Sequence, residues 1–164
     1  MMQKLEHRQM VIDTLVQSLG DTSPEIRAKA AESLGKLEVG EGTSELVKLL
    51  SDPNQKVRLS AIQALGQIGS KAAIPSLVNS LADPNPEVRT ITVDALGNIG
   101  SEQVMTYLLQ ALHDSEPAVR AIAAHALGQL GSEAAIPALV ESLSEPDDAV
   151  RLSVIEAIGK LGTQ

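Results

Sequence analysis

The chain contains no cysteine, no phenylalanine and no tryptophan, and its aromatic content is one tyrosine, Tyr107. The missing thiols exclude disulfides, thiolate metal sites and a cysteine nucleophile. A single round core usually recruits aromatic rings, whereas thin layers of Leu, Ile, Val and Ala do not need them. No basic and apolar leader opens the sequence. No uninterrupted apolar run approaches the roughly 20 residues of a membrane span. Cytoplasmic residence without membrane attachment is the expectation. Positive charge is also scarce, with 13 basic residues against 21 acidic ones and a net charge of −8.

What the chain has is a period. Arg27, Arg58, Arg89, Arg120 and Arg151 recur every 31 residues, each following a branched apolar residue in stretches such as DPNQKVRLSAIQALGQIG. A strict period of that size is the signature of a solenoid. Each arginine has an acid six residues earlier: Asp21, Asp52, Asp83, Asp114 and Glu145. With those five pairs set aside, eight basic groups face sixteen acidic ones. Such a surface repels phosphate backbones, and it offers no aromatic platforms for bases, so nucleic acid is not an expected partner.

Each repeat reads as two helices. In the second repeat the first runs from about Ser44 to Leu50, with Leu46, Val47 and Leu50 inward. The second runs from about Gln55 to Ile68, where Val57, Ala61, Ala64, Leu65 and Ile68 share one face. Ser23-Pro24-Glu25 and Asn85-Pro86-Glu87 read as N-cap, proline at the first helical position and an acid in the first turn. Gly69, Gly100 and Gly131 read as left-handed helix stops. Gly35, Gly66, Gly97, Gly128 and Gly159 lie inside the last turn, where glycine costs about 1 kcal/mol against alanine. Close packing is the expected compensation. The first inter-repeat loop, LEVGEGTS, keeps the period, but Gly40 and Gly42 predict a looser connection and a shorter start to the next helix.

The leucine-rich first helix, Asp-Pro turn, Val-Arg and ALGxxG together resemble HEAT repeats, and most of all the short-repeat branch of phycobilisome-lyase-like proteins. The resemblance spans Leu5 to Leu161. It implies an all-α, right-handed α-α superhelix of the HEAT/armadillo type, with five two-helix repeats in one domain over residues 1–164. It also implies a ladder of turn acids and arginines. Carried onto this sequence, the pairs are Asp21 with Arg27, Asp52 with Arg58, Asp83 with Arg89, Asp114 with Arg120, and Glu145 with Arg151. A guanidinium holds five donors in a fixed fork. It can take a carboxylate in its own repeat and carbonyls next door, so these arginines read as fasteners.

Candidate chemistry is sparse. His7, His113 and His125 do not recur as His-Glu pairs, which argues against an iron hydroxylase, and no Ser-His-Asp set or phosphate loop can be assembled. Asp94, His125 and Glu156 take equivalent positions on adjacent second helices, about 8–10 Å apart. They could converge on a metal, but a solvated polar strip is preferred, and no catalytic residue, metal or cofactor is assigned. Tyr107 is expected to face outward, because Met105, Leu108, Leu109 and Leu112 take the buried side of its helix.

Solenoids bind partners on extended concave surfaces lined by their second helices. Positions opposite the buried stripe are Lys56, Leu59, Gln63 and Gln67, then Glu87, Thr90, Asp94 and Asn98. Later repeats contribute Ala118, Ala121, His125 and Gln129, then Ala149, Leu152, Glu156 and Lys160. These positions vary between repeats, while the arginine and ALG positions hardly do. A non-enzymatic scaffold or adaptor for a protein or peptide is the leading expectation. A subunit of a phycobilin lyase, or another protein that handles phycobilisomes, is the alternative implied by the resemblance. An engineered repeat binder is a third reading. The last second helix carries Ile155 and Ile158 on its end face. That face is expected to be covered by a symmetry mate, as in a homodimer through the C-terminal repeat, by a partner, or by further repeats.

Overall fold

The computed structural model describes residues 1–163. The α-helices are α1 (Met2–Ser18), α2 (Pro24–Leu37), α3 (Thr43–Leu49), α4 (Gln55–Ile68), α5 (Ile74–Asn79), α6 (Pro86–Ile99), α7 (Met105–Ala111), α8 (Pro117–Leu130), α9 (Ile136–Glu141) and α10 (Asp148–Leu161). Every regular element among the described residues is helical, in five pairs of a first and a second helix, as the period predicts. Each of the later second helices spans fourteen residues. Proline opens α2, α6 and α8, where its missing N–H needs no partner. The Asn54, Asn85 and Asp147 side chains accept first-turn N–H groups of α4, α6 and α10. Gly69, Gly100 and Gly131 end α4, α6 and α8 with φ of 72°, 67° and 74°.

The chain divides into two compact units, Met1–Leu77 and Val78–Gln164. In the first, α2 lies along α4, α1 packs on α2, and α3 on α4. Ile12, Leu34, Leu46, Ile62, Leu65 and Leu77 are buried to 2% exposure or less. Full burial of such side chains contributes about 1.5–3 kcal/mol each. The buried arc of α4 is wider than one stripe. Ile62 joins Val57, Ala61, Ala64 and Leu65 inside, whereas Ile68 stays half-buried. On α3, Leu46 and Leu49 form the buried line, and Val47 and Leu50 are half-buried.

The expected looseness after the first repeat is not observed. Residues Gly40–Gly42 form a 3₁₀ turn like those at Lys71–Ala73, Glu102–Val104 and Glu133–Ala135. Helix α3 has seven residues, against six for α5, so its start is not shortened. Gly42 is there for space: a Cβ would sit 3.0 Å from Leu34 Cδ1 and 3.3 Å from Val16 Cγ2.

In the second unit α6, α8 and α10 pack in succession, with α7 against α8 and α9 against α10. Val93, Leu96, Leu108, Leu127, Leu139 and Val154 are fully buried. The interior glycines now have a physical reason. A Cβ on Gly97 would lie 2.7 Å from Ala126 Cβ, and one on Gly128 would lie 2.8 Å from Ala157 Cα. In the first unit the same holds for Gly35, whose Cβ would lie 2.8 Å from Ala64 Cα. In the α2–α4, α6–α8 and α8–α10 pairs the second helices thus touch backbone to backbone at one point.

Candidate functional site

The five repeat arginines share one anchor. Arg27, Arg58, Arg89, Arg120 and Arg151 each donate from Nη1 to the carbonyl of the acid six residues earlier, at 2.7–2.9 Å. In Arg27, Arg89 and Arg120, Nε and Nη2 also take a carboxylate from the next repeat. Arg27 binds Asp52 at 2.8 and 3.1 Å. Arg89 binds Asp114 at 2.9 and 3.0 Å, and Arg120 binds Glu145 at 3.0 and 2.8 Å. The expected side-chain pairs within a repeat are therefore corrected. Asp21, Asp52, Asp83, Asp114 and Glu145 offer their own repeat's arginine a main-chain oxygen instead.

The turn chemistry explains the reversal. Each of these carboxylates accepts the backbone N–H two residues on, at 2.8–2.9 Å for the four aspartates. This Asx turn fixes the side chain beside its own backbone, and at Asp52, Asp114 and Glu145 the carboxylate then takes an arginine arriving from the preceding repeat. Glu145 does the same more loosely, at 3.4 Å, so the extra methylene is accommodated. The Arg27 guanidinium holds the Asp52 carboxyl below its ordinary pKa, against the opposing effect of burial. For Asp114 burial pushes upward most strongly, yet the Arg89 hydrogen bonds and the Glu116 N–H keep the net shift downward.

Tyr107 is half-buried rather than outward. With Leu81, Val93 and Val119 it lines a cavity of ≈ 140 Å³ that also reaches Arg89 and Asp114. A wheel drawn on α7 alone cannot see the neighbouring walls from α6 and α8.

The varied positions of the second helices lie toward solvent. On α4, Lys56, Gln63 and Gln67 are exposed and Leu59 half-buried. In the second unit Glu87, Asn98, Gln129, Leu152 and Glu156 are exposed, while Thr90, Asp94, Ala121 and His125 are half-buried. Asp94 accepts from the Asn98 amide at 3.4 Å. Among the described residues no three His, Asp or Glu side chains gather closely enough to hold a metal ion. On α2, Glu32 is instead gripped by Lys36 and Lys29, which lower its pKa to about 2.

An open groove of ≈ 540 Å³ in the second unit joins Asn98, Gln129 and Lys160 over Gly97 and Gly128, with Thr163 at its rim. Gly97 and Gly128 line this groove together with the two amides and one ammonium. Lys160 is the repeat-five equivalent of Asn98 and Gln129 among the varied positions read from the sequence, whereas Thr163 was not singled out. The 31-residue spacing of Asn98, Gln129 and Lys160 was the available signal.

Family models described as HEAT repeats match residues 43–116 and 105–164, and a HEAT repeat model matches residues 11–37. Among solved structures, the chain is similar to the complex of CpcE and CpcF of phycocyanin lyase from Nostoc sp., at 24% identity and a TM-score of 0.79. That match covers 93% of this chain and 65% of the other, so the chain spans about two thirds of the lyase chain it matches. A designed armadillo repeat protein in complex with the peptide (KR)4 matches at 25% identity, with 97% and 84% of the two chains covered and a TM-score of 0.74. An engineered protein matches at 24% identity, covering 92% and 78%, with a TM-score of 0.66. No curated protein matches the sequence.

Proposed function

The chain belongs to the HEAT-repeat family, and from that premise we propose that it is a non-enzymatic scaffold that binds a protein segment along its second helices. The observation that carries this reading is the division of labour within each repeat. Arginines, turn acids and helix-contact glycines recur, while the solvent-facing positions change from one repeat to the next. In the second unit those positions include Glu87, Asp94, Asn98, Gln129 and Glu156, and the groove under Asn98, Gln129 and Lys160 is one place where they meet. Side-chain amides can pair with the N–H and C=O groups of an extended peptide. The acidic members favour a partner with basic side chains, and the net charge of −8 would speed its approach. The likeness to a designed repeat protein in complex with (KR)4 supports the same mode.

A peptide library panned against the immobilised chain tests this. Enriched sequences should be basic and extended. Asp94→Arg combined with Gln129→Ala should abolish their binding without unfolding the protein. Ser76→Arg, on a first helix, should leave binding intact. Binding that survives the double change and fails with Ser76→Arg would overturn the assignment.

A second reading follows from the likeness to the CpcE and CpcF complex: a subunit that handles bilin chromophores or phycobilisome proteins. Mixing the chain with a bilin and following its visible absorbance separates the two readings. An unchanged spectrum counts against the second.

A further inference from the structure

The second helices have two unlike sides. Along α2, α6 and α8 one line of residues carries an arginine, a core residue and a glycine: Arg27, Ala31 and Gly35; Arg89, Val93 and Gly97; Arg120, Ala124 and Gly128. Ala31, Val93 and Ala124 are 0% exposed. The arginine takes the next turn's carboxylate, and the glycine receives Ala64, Ala126 or Ala157 of the next helix. The same line on α10 reads Arg151, Ile155 and Gly159, and it is open. Ile155 is 55% exposed, and nothing lies within 4 Å of a Cβ built on Gly159. The Arg151 side chain is 42% exposed, whereas Arg27, Arg89 and Arg120 are 13–15% exposed. Its Nη1 still binds Glu145 O at 2.7 Å, so the guanidinium has the ladder pose. Its Nη2 rests on the exposed Asp148 of the same helix, a pairing that is cheap to exchange. Leu143, Leu152 and Ile155 flank it along an open groove of ≈ 520 Å³.

The complementary set stands on the first repeat. Asp21 Oδ1 accepts the Ser23 N–H at 2.8 Å, the turn geometry in which Asp52 and Asp114 receive an arginine. Ser33 takes the position of Ala64, Ala126 and Ala157, the small residue that meets the preceding glycine. Near it, Leu15, Ile26 and Ala30 line a groove of ≈ 300 Å³. Ile26 is 45% exposed, although its counterparts Val88, Val119 and Val150 are 1% exposed.

We propose that the occupant of the α10 face is the first repeat of a second copy of this chain, docked head to tail. Arg151 takes Asp21, and Ser33 settles on Gly159. Charge selects this arrangement over the symmetric ones. Two α10 faces would oppose two Arg151 guanidiniums, and two first-repeat faces would oppose two Asp21 carboxylates. A heterologous contact of this kind propagates into rings or open chains rather than stopping at a two-fold dimer.

Sedimentation velocity on the 164-residue chain over a wide concentration range is the test. The average mass should climb beyond that of a dimer. Asp21→Arg or Arg151→Glu alone should weaken association about a hundredfold, by placing like charges opposite each other. Each variant should stay folded, with a melting point lowered only by the loss of the Ser23 N–H bond to Asp21 or of the Arg151 bond to Glu145 O. Circular dichroism of the dilute variants checks this. Mixing the two variants should restore association, since each chain supplies the charge its partner lacks. Ile155→Glu, an exposed position, should also abolish it. A strict monomer at millimolar concentration overturns the proposal. So does association that ignores both charge reversals, or a mixture that stays dissociated.

Discussion

Arg89 grips the carboxylate of Asp114, 25 residues on, with Nε 2.9 Å from Oδ2 and Nη2 3.0 Å from Oδ1. Both side chains are largely covered, at 13% and 16% exposure. The arginine's third hydrogen bond goes back to Asp83 O in its own repeat. One guanidinium therefore ties its own turn to the next, and the tie has a direction.

That direction is measurable. Arg89→Ala leaves a partly buried carboxylate without its cation, and the expected loss is about 1–3 kcal/mol, between exposed and fully buried pairs. A double-mutant cycle of Arg89→Ala with Asp114→Ala should show a coupling of about 1 kcal/mol or more. The cycle of Arg89→Ala with Asp83→Ala should show almost none, because Asp83 contributes a carbonyl that alanine retains. Equal coupling in both cycles would restore pairing within the repeat.

The same geometry sets an acid response. The carboxyls of Asp52 and Asp114 have folded pKa values below their unfolded ones. The native state then binds fewer protons, so this contribution is complete above about pH 4. It is lost as pH falls through the depressed folded values. Asp114→Asn should lower stability at neutral pH and flatten its decline below about pH 4. Melting curves of parent and variant that shift in parallel across that window would uncouple the carboxylate from folding.

The sequence contained the ladder but not its direction, for an arithmetical reason. Separations of 6 and 25 residues together make one repeat. A strict period that places an acid six residues before each arginine also places one 25 residues after it. Only the Asx turn, in which the carboxylate accepts a backbone N–H of its own turn, decides between them. The α4 limits, by contrast, agree with the reading of Gln55 to Ile68 stopped by Gly69, since stop signals are local. Tyr107 was misjudged because a seven-residue helix says little about its neighbours. The varied second-helix positions could be found from the period, but the groove that joins Asn98, Gln129 and Lys160 depends on how closely α6, α8 and α10 approach, which the period does not state.

Two glycines at equivalent positions should respond in opposite ways to alanine. A Cβ on Gly128 would lie 2.8 Å from Ala157 Cα and 3.0 Å from its Cβ, so α8 and α10 must part. Overpacking of this kind costs about 1–3 kcal/mol, more than alanine's helix preference returns. On Gly159 the same methyl meets nothing within 4 Å. There Gly159→Ala should stabilise the dilute monomer by about 0.5–1 kcal/mol. Chemical denaturation of both variants checks the pair. Equal effects would mean that close approach is not what holds glycine at position 128.

Glu38 closes α2 in the left-handed conformation, with φ 52° and ψ 35°, and its N–H donates to Gly35 O at 3.0 Å. Glycine fills the equivalent place at positions 69, 100 and 131, and Glu38 is the one non-glycine residue with positive φ among the described residues. A side chain there costs about 1–2 kcal/mol in steric strain. Glycine removes that strain but gives back roughly half through the larger freedom of the unfolded chain. The Glu38 side chain is exposed, so its loss should matter little. Glu38→Gly is therefore expected to stabilise the protein by about 0.5–1 kcal/mol, as a higher urea midpoint with an unchanged slope. Glu38→Val, β-branched and poorly suited to positive φ, should move the midpoint the other way. If glycine and valine give the same midpoint, the strain at this helix end is absent.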